Sequence, residues 1–187
     1  MAQHSYSIRN LIAFIIFFTS TILTLAVAAP IDDAPSLFKR ACPTIDFFRE
    51  HIRKKGMSTN TVFYTSPASA LETTGFAAAL TPPGKFFSNL VTPEDQLKFL
   101  DECGTNGAEQ EKIAIRLSIA IAREASGIAY VVVKDKAKEG SIWKKYELPA
   151  LQHNPNIASI HEFDINTKQY TQIWTKGDTP TLTENPV

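Results

Sequence analysis

Leu11 to Val27 is an almost unbroken apolar run, interrupted at Thr19, Ser20 and Thr21, and it constrains the rest of the chain. A polar stretch with one positive charge, Arg9, precedes it, and the small residues Ala26, Ala28 and Ala29 follow. Charged start, apolar middle and small-residue cleavage site is the order of a secretory signal. A spanning helix needs roughly 20 uninterrupted apolar residues, so the run predicts a signal peptide over 1–29, secretion, and no stable membrane anchor once it is removed. Pro30 to Phe38 is a short acidic segment containing Pro30 and Pro35, and it leads into Lys39-Arg40. We expect a pro-segment over 30–40, cut at that dibasic pair, as in the late secretory pathway of a eukaryote such as a fungus. The folded part then begins at Ala41.

Residues 41–187 are enough for one domain with a real core. The chain carries 19 basic and 19 acidic side chains, so it lacks the basic excess that marks a nucleic-acid binder. Cys42 and Cys103 are its two cysteines. In an oxidising compartment they are expected to form one disulfide, closing a loop of about 60 residues worth about 2–4 kcal/mol in the chain-entropy view. No Asn-x-Ser/Thr site is present.

Apolar spacing predicts a helix over Thr44–Lys55, ended by Gly56, and a strand over Thr61–Thr65. A weak helix is expected from Pro67 to Leu80, a break at Thr81–Gly84, and a helix opened by Thr92-Pro93. The longest helix is expected over Glu109–Ser126. Strands are expected at Ile128–Val133, Ser141–Leu148, Ile157–Ile165 and Tyr170–Trp174. The class is α/β or α+β: a single small domain, N-terminal helices packed on a partly parallel sheet of about four strands. The globular part is expected to run to residue 175, with a flexible tail over 176–187.

The histidines, His4, His51, His153 and His161, form no metal-ligand motif, and no phosphate loop or nucleophile elbow is present. No metal and no cofactor are expected. Glu147, set among Ile142, Trp143, Tyr146 and Leu148, is a candidate for a raised pKa. Alone, it could equally be a strand residue facing water. Ser118 sits in an apolar helix, where a small packing residue is the ordinary explanation. Trp143 suits a core or a stacking platform equally.

Taken together, these positions resemble the ADP-ribosyl cyclase and ecto-NAD glycohydrolase family. The resemblance runs through Phe63-Tyr64-Thr65, Leu97–Cys103, Ser118–Ala125, Ile128–Val133 and Ser141–Glu147. It implies cleavage of the nicotinamide–ribose bond of NAD, with NAD as substrate. Glu147 would be catalytic and Ser118 would sit beneath the reacting carbon. Tyr64 and Trp143 would stack on the nicotinamide or close the pocket, and Thr65 and Ser141 would bind phosphates. Three positions depart from the family pattern. Tyr64 replaces the first indole, Ala114 stands where the second would be, and the family's other acid falls near Asn89 or Leu90. Hydrolysis is therefore expected over cyclisation. Two other functions suit the same features: a non-catalytic secreted effector that keeps the fold, and an ADP-ribosyltransferase-like toxin.

Overall fold

The computed structural model describes residues 42–103 and 107–180. The expected signal peptide and pro-segment, and residues 181–187 of the expected tail, lie outside the described residues. So does the Cys103 side chain, and with it the expected disulfide to Cys42.

Helix α1 (Ile45–Lys55) starts where Thr44 accepts a hydrogen bond from the Phe47 amide, and carries Arg53, Lys54 and Lys55 in its last turn. Both ends therefore complement the helix dipole and its orphan backbone groups. Phe48 and Ile52, one turn apart, are its buried face. Each contributes about 1.5–3 kcal/mol of burial, and Ile52→Ala would cost about 2–5 kcal/mol. Gly56, at φ +71°, ends the helix in a conformation that favours glycine. Strand β1 (Asn60–Tyr64) follows.

Helix α2 (Ala70–Ala79) begins later than Pro67, because Ser69 and Glu72 form a reciprocal capping box there. A short helix α3 spans Phe87–Leu90. Helix α4 (Pro93–Cys103) opens with the expected Thr92 cap, reinforced by Asp95, which accepts from the Thr92 amide at 3.0 Å. Helix α5 (Gly107–Glu124) is buried almost all round from Leu117 to Ala122. An element enclosed on every side makes a rigid post for polar groups.

Strands β2 (Gly127–Val133), β3 (Ile157–Asp164) and β4 (Gln169–Thr175) complete a four-stranded sheet in the order β1-β2-β3-β4. The first three strands are parallel, and β4 returns antiparallel beside β3 through the expected turn. Side chains alternate faces along each strand. Phe63, Val131, Val133 and Ile160 pack toward α1 and α5, whereas Val62, Val132 and Phe163 pack toward α2. This is a single-domain α/β architecture.

Two details fix the turn from α5 into β2. Buried Asn154 donates to the carbonyls of Ala122 and Ala125 at 2.8 and 2.9 Å, satisfying the end of α5. Gly127, at φ +72°, lies so close to Thr59 that a Cβ would sit 2.4 Å from its carbonyl oxygen. Past β4, the Lys176 amide donates to the Ala158 carbonyl, so the first residue of the expected tail is tied to the sheet.

One expected element is corrected. Ser141–Leu148 is not a strand. Trp143–Glu147 is a π-helical turn that runs directly into helix α6 (Leu148–Gln152). Pro149 gives the reason. It has no amide to donate, and in an α-helix its ring would press on the carbonyl four residues back, that of Lys145. The wider turn relieves this, with the Leu148 amide reaching the Trp143 carbonyl five residues back. The apolar spacing that suggested a strand is a helical stripe, with Trp143, Glu147 and Leu151 four residues apart and all buried.

Candidate active site

A cavity of about 700 Å³ lies at the carboxyl end of β1, between α5 and the π-helical turn. All six residues singled out from the sequence for catalysis or substrate binding line it: Tyr64, Thr65, Ser118, Ser141, Trp143 and Glu147. Open α/β sheets hold ligands outside the carboxyl ends of their strands, and the volume is in the range of small-molecule sites.

Each wall has a local origin. Tyr64 ends β1, and the Thr65 amide still donates to the Val132 carbonyl, so the rim is pinned to the sheet. On α5, Ala114, Ser118 and Ile121 form one stripe at helical spacing. Ser141 accepts from the Lys144 amide at 3.3 Å and so caps the helical segment that carries Trp143 and Glu147. Its hydroxyl proton stays free to donate elsewhere.

Glu147 is the chemical centre. Its residue is 9 % exposed, and burial pushes its carboxyl up to about 7, against a hydrogen bond from Ser118 that pulls the other way. Removal from water disfavours the ionised form, and one hydroxyl donor repays only part of that. The carboxyl is thus poised to change charge near neutral pH, as catalytic acids and bases are. Tyr64 lies within its field. The phenol is pushed above its ordinary value by burial and then by the Glu147 charge.

The two aromatic side chains differ. Tyr64 is 39 % exposed and stands at the opening, whereas Trp143 is 2 % exposed and packs against Phe63 at 5.7 Å between ring centroids. Trp143 is therefore a buried wall more than an open platform. Thr65 is also buried. Ala114 lines the cavity, so the absence of an indole there leaves space where a ring would stand. Asn89 and Leu90 lie elsewhere: Asn89 accepts from the Phe86 amide, and Leu90 is core.

Sequence reasoning did not single out Lys138, Ser66 and Phe87 as lining residues. Lys138 belongs to the charged turn after β2 and resembles any solvated connector. Only the parallel topology, which returns that loop over the carboxyl end of β1, could have found it. Among the described residues no group of His, Cys, Asp and Glu could hold a metal ion. No helix there is long and apolar enough to cross a membrane.

Fold and cavity define an α/β domain with a buried, titratable carboxyl at the end of a parallel sheet. No protein-family model, curated protein or solved structure matches the chain.

Proposed function

We propose that this is a secreted NAD glycohydrolase that cleaves the nicotinamide–ribose bond with Glu147 as its catalytic carboxylate. The observation that carries this reading is the buried Glu147 carboxyl facing a cavity of nucleotide size, held by Ser118 and poised at a pKa of about 7.

The chemistry follows from charge. When the glycosidic bond breaks, its electron pair passes to the ring nitrogen of the pyridinium, which leaves as neutral nicotinamide. Positive charge then develops on the ribose. An ionised Glu147, already stripped of water, stabilises that charge without reorganising, as carboxylates do in glycosyl transfer. Water adds to the ribose carbon and loses a proton, giving ADP-ribose. Ser118 orients the carboxylate. Ala114 leaves room for water beside the reacting carbon, which favours hydrolysis over internal capture by the adenine.

The test is nicotinamide release from NAD by the purified full chain, with Glu147→Gln as control. Turnover should fall by about 10²–10³-fold in the variant, the usual effect of losing a preorganised electrostatic group. Release no greater than that of the variant would leave the non-catalytic effector as the surviving alternative.

A further inference from the structure

Lys138 and Glu147 are the only Lys, Arg, Asp or Glu among the described residues lining the cavity, and they sit at different depths. Glu147 is buried, whereas Lys138 is exposed in the turn before Ser141. The Ser141 amide donates to the Lys138 carbonyl at 3.0 Å, so the backbone holding this lysine is tied to the residue that caps the π-helical segment. The backbone that carries the lysine is therefore part of the cavity wall. Ser141 and Ser66 add hydroxyl donors to the lining. The cavity is therefore dipolar: acid at depth, with a cation and hydroxyl donors around it.

We propose that Lys138 is the anion-binding residue of this cavity, holding the pyrophosphate of the dinucleotide at the mouth while the cationic pyridinium points toward Glu147. This rests on the glycohydrolase reading for the reaction, but the anion site is testable without it. A compact ammonium beside hydroxyl donors suits phosphate oxygens, and opposite charges at the two ends of a cavity select both the ligand and its direction.

Two measurements on the full chain decide the matter. The first compares NAD with nicotinamide riboside, which has the same scissile bond and no pyrophosphate. In Lys138→Ala the preference for NAD, as the ratio of the two kcat/KM values, should fall about tenfold, the loss expected of one charge-assisted contact. Lys138→Arg should restore most of it. An equal effect on both substrates, or an unchanged ratio, overturns the proposal. The second is binding of ADP by calorimetry, which needs no turnover. ADP should bind, more weakly in Lys138→Ala and at higher salt. If neither substrate is cleaved but ADP binds through Lys138, the anion site stands and the glycohydrolase reading falls. Absence of ADP binding, or binding indifferent to Lys138, overturns the anion site.

Discussion

Helix α5 serves two carboxylates in opposite ways. At its C-terminal end Glu124 is clamped by two arginines of α1: Arg49 Nε donates at 2.6 Å, and Arg53 donates through Nε and Nη2 at 2.7 and 2.8 Å. Burial pushes Glu124 up, but the hydrogen bonds and charges of Arg53 and Arg49 outweigh it and hold the carboxyl below its ordinary value. Two turns back, Ser118 offers Glu147 a single hydroxyl, and there burial wins. They also differ in depth, Glu147 being buried and Glu124 only half-buried. Depth of burial and the number of charged donors together decide whether a carboxylate stays ionised and holds two helices together or stays available for chemistry.

The largest effect that can break this comparison is on stability, where the two residues should move in opposite directions. Glu147 has a folded pKa near 7, above its unfolded value of 4.5. The unfolded state therefore releases its proton first, and the carboxyl destabilises the fold progressively as pH rises between those values. At about 1.4 kcal/mol per pH unit, Glu147→Gln should raise stability by up to about 3 kcal/mol at pH 8, and the gain should vanish below pH 4.5. Glu124 has a depressed folded pKa, so its contribution is present above the unfolded value and lost on acidification. Glu124→Gln should cost about 1.5–3 kcal/mol at neutral pH, the range for hydrogen bonds to a charged group, and less in acid. Urea midpoints across pH measure both. Shifts of the same sign would show that the two sites do not differ as described.

A smaller effect is expected in the kinetics. In the proposed glycohydrolase reaction the carboxylate is the working form, so kcat/KM for NAD should rise with pH through about 7, the folded pKa of Glu147. A pyridinium bound as proposed would favour the ionised carboxylate, so the midpoint in kcat should lie lower than that in kcat/KM. Glu124→Gln should leave both midpoints in place. A flat profile between pH 5.5 and 8.5 would remove Glu147 from the rate-limiting chemistry.

The unequal visibility of these two carboxylates also measures what the sequence could say. The helix over Thr44–Lys55, the Thr92 cap, the strand β1 and the long helix α5 follow from local spacing, and their positions agree with it to within about two residues. Ser141–Leu148 reads as a strand because its apolar residues fit a strand as readily as a helix, and only Pro149 marks the wider turn. Glu147 stood out as an acid among aromatic and aliphatic residues. Glu124 did not, because its significance lies in Arg49 and Arg53, which are 71 and more positions away in sequence. Lys138 was invisible for the same reason. Patterns along the chain report burial well, but pairing across it depends on topology.

The smallest effect sharpens the comparison most, because it asks how Ser118 acts. Ser118→Ala removes the hydrogen bond that pulls the Glu147 pKa down, and a carboxyl left with no donor should titrate still higher. The kcat/KM midpoint should therefore move up, by about one pH unit for a bond worth 1–2 kcal/mol. Activity above the new midpoint should largely recover, because the carboxylate is then formed without its help. Ser118→Thr, which keeps the hydroxyl, should hold the midpoint nearer 7 if the added methyl fits the Ala114–Ile121 stripe. If Ser118→Ala instead lowers the high-pH plateau and leaves the midpoint unmoved, the serine works on the substrate and not through Glu147. The contrast with Glu124 would then rest on burial alone.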